Sequence, residues 1–106
     1  MNTVPVQIVR FVLEHQPNIV GCILTDAYGR QWEIEDKVAI FTEAYMDAES
    51  IYPQPGIVAC EIVREWTDPD GSRRCIIDTR QPRGVEAKDG ETQFEMFADE
   101  IATDGV

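Results

Sequence analysis

The chain has 106 residues, 43% of them hydrophobic, which is enough for one modest core and too little for two domains. Twenty acidic residues against nine basic ones give a formal net charge of −11. That balance argues against nucleic-acid phosphate and anionic membrane surfaces as partners, and makes a basic protein the natural one.

The opening MNTVPVQIVRFVL lacks a positive leader region and a small-residue cleavage site, and no stretch approaches the length of a membrane span. Residues 4–13 are dense in β-branched side chains. Val4, Val6, Ile8 and Val12 share one phase of a two-residue period and Val9, Phe11 and Leu13 the other, so a strand buried on both faces, or lying against a partner, is expected. Gln16-Pro17-Asn18 turns the chain into a second strand over residues 19–25, with Val20, Cys22 and Leu24 on its core side.

Asp26-Ala27-Tyr28-Gly29 reads as a hairpin connection, and the same pattern returns as Asp68-Pro69-Asp70-Gly71 and Ala87-Lys88-Asp89-Gly90. Each offers residues suited to a type I turn followed by a glycine for the left-handed position. Between the first two, residues 30–36 alternate with Trp32 and Ile34 inward and Gln31, Glu33 and Glu35 outward. Residues 38–41 read as a short continuing strand, and Thr42 is placed to cap one or two helical turns through Asp47. With the loop to Tyr52 this makes one irregular excursion, where a rigid β scaffold tends to carry function.

A Pro53-Gln54-Pro55-Gly56 corner leads into a strand from Ile57 to Trp66, with Val58, Cys60, Ile62 and Trp66 in one phase. Arg64 falls on that apolar phase, which predicts a bulge or an end of the barrel there. The strand pairs with residues 72–79 across Asp68–Gly71, and residues 83–86 pair with 92–97 across Ala87–Gly90. Phe94 and Met96 face inward, and the acidic tail, residues 99–106, is expected to fray.

The expected fold is one mainly β domain spanning residues 1–106. It is a small antiparallel, partly open β-barrel of roughly six to eight strands with at most one short helix, and a β-sandwich is the alternative.

Candidate chemistry is sparse. The single histidine, His15, sits in a turn with no partner fixed by spacing, so no catalytic residue is assigned. Cys22, Cys60 and Cys75 are odd in number, form no CxxC pair and lie inside strand patterns, which suits buried, reduced thiols in the cytoplasm rather than a metal site. Asp68-Pro69-Asp70-Gly71 lacks the remaining ligands of a calcium loop and is read as a turn. No metal or cofactor is expected. The carboxylates remain: Glu33 and Glu35 on one hairpin, with Glu43, Asp47 and Glu49 beside Tyr52 on the excursion, form a candidate face for a basic protein. Arg80 and Arg83, in the unusual Arg-Gln-Pro-Arg stretch, are the alternative, a small-molecule carboxylate or phosphate site.

The run YPQPGIVACEIVREWTDPDG, followed by IDTRQPRG and preceded by CILTDAYGR, resembles a pattern in small acidic bacterial proteins of an uncharacterised family. The resemblance covers most of the chain and implies a compact bacterial cytoplasmic protein. It brings no activity, cofactor or site residue with it. The functional expectation is therefore a non-catalytic protein-binding module with an acidic face. An immunity or inhibitor protein against a basic toxin is a special case, and a homodimer through the N-terminal strand is a further arrangement.

Overall fold

The computed structural model describes residues 1–103. Among these described residues, seven antiparallel strands form a single curled sheet, a partly open half-barrel, and not two packed layers. In chain order these are β1 (Asn2–Leu13), β2 (Ile19–Thr25), β3 (Gln31–Lys37), β4 (Gln54–Thr67), β5 (Arg73–Asp78), β6 (Gln93–Phe97) and β7 (Ala102–Thr103). The sheet runs β3-β2-β1-β4-β5-β6, and β7 pairs with the start of β1. One four-residue helix, α1 (Val38–Phe41), and a 3-10 turn over Ala98–Glu100 complete the fold.

Turn chemistry settles much of this topology. Gly29, Gly71 and Gly90 all carry positive φ, as the three four-residue patterns require, and the first two join paired strands. β4 is the long element, and it changes partner along its length. Gln54 to Cys60 pairs with β1, and Glu61 to Thr67 pairs with β5. The bulge foreseen near Arg64 is present as a register shift between Ile62 and Arg64, and it turns the Arg64 side chain outward, over the Trp66 ring at 4.4 Å. Pro5 and Pro55 fall in the same class of alternating pair on β1 and β4 (Pro5↔Ile57, Gln7↔Pro55), so one choice of ladder phase spares the sheet both missing amides.

The core lies on the concave side. Val4, Val6 and Ile8 of β1 meet Val20, Cys22 and Leu24 of β2, Ile34 of β3, Val58 and Cys60 of β4, Cys75 and Ile77 of β5 and Phe94 and Met96 of β6. The two edges, β3 and β6, do not pair as strands. They are held across the seam by Ala27 N donating to Glu95 O at 2.8 Å, Lys88 N donating to Glu33 O at 2.8 Å, and an edge-on contact of Trp32 with Phe94 at 5.1 Å.

Several expectations need correcting. Residues 38–41 are helical, not a strand, and Thr42 ends that helix in an extended conformation instead of starting one. The reason is packing: a helical turn puts Val38 and Phe41 on one side, where both are buried against the barrel, and that outweighs the β preference of Val38 and Ile40. Residues 83–86 form no strand. The Ala87–Gly90 turn exists, but the chain before it is gathered by buried Thr79, whose hydroxyl donates to Val85 O at 2.7 Å and whose N–H donates to Thr92 O at 2.9 Å. Gly56 makes no turn; it lies within β4, where a Cβ would sit 3.1 Å from Ile8 Cδ1 and 3.2 Å from Phe41 O. Of the acidic tail, residues 99–103 include part of the 3-10 turn and β7; residues 104–106 lie outside the described residues.

β1 is not apolar-covered on two faces along its whole length. Two register shifts against β2, at Ile8/Arg10 and Phe11/Leu13, break its period, leaving Phe11 half-buried and Leu13 exposed. Nor is it an edge strand over its first half, where β4 pairs from Asn2 to Ile8. Pairing with another copy through Val4 to Ile8 therefore lacks a free edge on the β4 side.

Candidate functional site

β1 outruns its neighbour. The ladder to β4 ends at Ile8↔Gln54, while β1 continues to Leu13 and turns through Pro17 into β2, so the β1–β2 tip projects beyond the barrel end. The excursion between α1 and β4 folds toward this tip, and Asn18 ties the two together. Its backbone carbonyl accepts from Val38 N at 2.9 Å, its side-chain amide donates to Met46 O at 3.0 Å, and its Oδ1 accepts from His15 N at 3.0 Å. Met46 anchors the excursion by burying its side chain in the core. Asp47 then folds the next turn on itself: its Oδ1 accepts from Glu49 N at 2.9 Å and from the Ser50 hydroxyl at 3.3 Å, and Tyr52 Oη donates to Asp47 O at 2.8 Å.

Between tip and excursion lies an open groove of about 910 Å³. Phe11, Pro17, Val38, Ala39 and Tyr45 supply apolar lining. Glu14, Glu43, Asp47 and Glu49 supply four carboxylates, and no lysine or arginine is among the lining residues. Apolar surface is unusually bare at this end, with Tyr45 80%, Ile51 82% and Leu13 47% exposed. The arrangement suits a ligand that is both apolar and cationic.

The structure places Glu43, Asp47 and Glu49 along this groove, but not the other proposed members of the face. Tyr52 is half-buried beneath the excursion with its hydroxyl spent on the backbone. Glu33 and Glu35 do not line the groove. Glu35 meets Arg10 at 2.6 Å and Lys88 at 3.1 Å, and Lys88 also reaches Glu33 at 3.8 Å. The Lys88 and Arg10 hydrogen bonds hold the Glu35 carboxyl below the usual carboxylate range. Arg10 gets there by lying across Gly21, where a Cβ would come 2.7 Å from its Cζ. The single acidic face thus divides into a neutralised cluster on β3 and an unneutralised groove.

Arg80 and Arg83 are exposed in the loop after β5, and neither enters an ion pair among the described residues. Arg80 is shaped by its backbone, whose N–H donates to Asp78 Oδ1 at 2.8 Å and whose carbonyl accepts from Gly84 N at 2.7 Å. His15 is exposed, with Nδ1 3.3 Å from Pro17 O. Cys22, Cys60 and Cys75 are free and buried, and burial pushes the Cys22 thiol up to about 12 and Cys60 to about 11. Among the described residues no three His, Cys, Asp or Glu side chains gather as a metal site.

Sequence reasoning missed Phe11, Glu14, Asn18 and Tyr45. Glu14 had a local sign, an acid directly after an apolar strand. Asn18 read only as a turn residue, because the carbonyl it serves at Met46 is remote in sequence. No family model, curated protein or solved structure matches the chain.

Proposed function

We propose that this protein is a non-catalytic protein-binding module that holds a basic, partly apolar segment of a partner protein in the groove between the β1–β2 tip and residues 42–49. One observation carries the reading: four carboxylates, with no lysine or arginine among the lining residues, surround an apolar groove on a chain of net charge −11. Three free, buried cysteines support a reducing, cytoplasmic setting. An inhibitor that occludes the basic site of a toxin is a special case using the same surface.

The test is panning of a random peptide library on the immobilised protein, with a Glu43→Lys, Glu49→Lys variant in parallel. Selected peptides should be rich in lysine or arginine interleaved with apolar residues, should be released by high salt, and should not bind the variant. Peptides without charge bias, or equal retention by the variant, remove this reading. Glu43 and Glu49 are both exposed, so the double substitution should leave the fold intact.

A further inference from the structure

The groove borders an unfinished sheet. β4 stops pairing at Gln54, where the chain before it belongs to the excursion. β1 continues for five more residues, 9–13, with β2 on one side and, among the described residues, no strand or backbone partner on the other. Phe11, in the middle of that run, lines the groove. Two of the devices that usually blunt such an edge are missing: there is no proline in residues 9–13, and the one charged side chain, Arg10, is drawn away to Glu35.

We propose that the partner segment binds as an added β-strand along residues 9–13 of β1, in the line that β4 vacates. This rests on the groove reading above and specifies its mode. Five residues offer roughly 17 Å of edge, enough for a short strand. The bulges at Ile8/Arg10 and Phe11/Leu13 increase the local twist, which restricts the guest to a short segment. A strand presents alternate side chains to opposite faces, so one set can contact the apolar lining at Phe11 and Tyr45 while flanking cations reach Glu14, Glu43 and Glu49. The chemistry commits to a cationic, extended peptide. A second copy of this chain would bring the same carboxylates, and another net −11, to the same edge.

The probe is a seven-residue peptide alternating lysine with valine, together with two versions N-methylated on alternate amides in opposite phase, added to the full chain. Amide hydrogen exchange is followed residue by residue. On binding, amides within residues 9–13 should become protected. Methylation in one phase should lower affinity on the order of tenfold or more, and methylation in the other should leave it nearly unchanged, because only one set of amides faces β1. Binding that ignores both methylation phases, or weakens equally in both, or protects none of residues 9–13, overturns strand addition while leaving the groove reading standing. Absence of binding, or binding that Glu43→Lys, Glu49→Lys does not weaken, defeats the groove reading as well. Protection of residues 9–13 without peptide, accompanied by a dimer mass, gives the edge to a second copy and also overturns the proposal.

Discussion

Arg10 crosses Gly21 to meet Glu35 at 2.6 Å, and Lys88 closes on the same carboxylate at 3.1 Å, so an outward-facing glutamate of β3 ends in a cluster instead of on a docking face. The alternation of residues 30–36 made the outward direction of Glu33 and Glu35 legible. Their partners come from β1 and from the turn before β6, and no local pattern announces either. The pairing has a consequence for acid stability. Because the folded pKa of Glu35 is depressed, the stability it contributes is complete above the titration of an unfolded glutamate, about pH 4, and is lost as the pH falls through the lower folded value. Glu35→Gln should therefore lower the thermal midpoint at neutral pH by a few degrees, with the gap to wild type closing in acid. Thermal melts across that pH range check this, and a gap that persists at low pH would assign the effect to packing.

At the level of elements, legibility follows how local the deciding interaction is. The Asp26–Gly29 and Asp68–Gly71 hairpins were readable because their turn residues and glycines act within four positions. α1 was not. Val38 and Ile40 favour a strand, and the helix forms because it buries Val38 and Phe41 in the core, with the Phe41 carbonyl beside Gly56 of β4, surroundings that only the folded chain supplies. The 79–92 segment was missed for the same reason, since Thr79, Val85 and Thr92 meet only once β5 and β6 are side by side. Phe41 is almost wholly buried, so Phe41→Ala should cost about 3–5 kcal/mol in urea unfolding. A loss below about 1 kcal/mol would mean that α1 is an accessory to the barrel end and not its plug.

Over the whole molecule, the strand patterns and hairpin turns gave the class correctly, and the seam is what separates a half-barrel from a sandwich. Arg74 reinforces that seam: its guanidinium meets Glu95 at 2.7 Å and stacks near Phe97 at 4.7 Å and Tyr28 at 5.6 Å, joining β5, β6 and the β2–β3 turn. Such closure protects the interior thiols. With Cys22 and Cys60 pushed to about 12 and about 11 and Cys75 also raised by burial, the thiolate is scarce at neutral pH and inaccessible. An aromatic disulfide reagent should leave the native chain unlabelled over minutes and titrate all three cysteines in denaturant. Rapid labelling of the native chain would show that the seam opens readily.

The change of partner along β4 also orders events during synthesis. β1, β2 and β3 leave the ribosome first and can complete a meander, but the side of β1 that β4 will cover then stands bare from Asn2 to Leu13, bearing Val4, Val6 and Ile8. A nascent chain is thus exposed to mispairing until β4 arrives. When it does, it closes the edge only as far as Ile8. The open run at residues 9–13 is the remnant of that early vulnerability, kept in the finished protein.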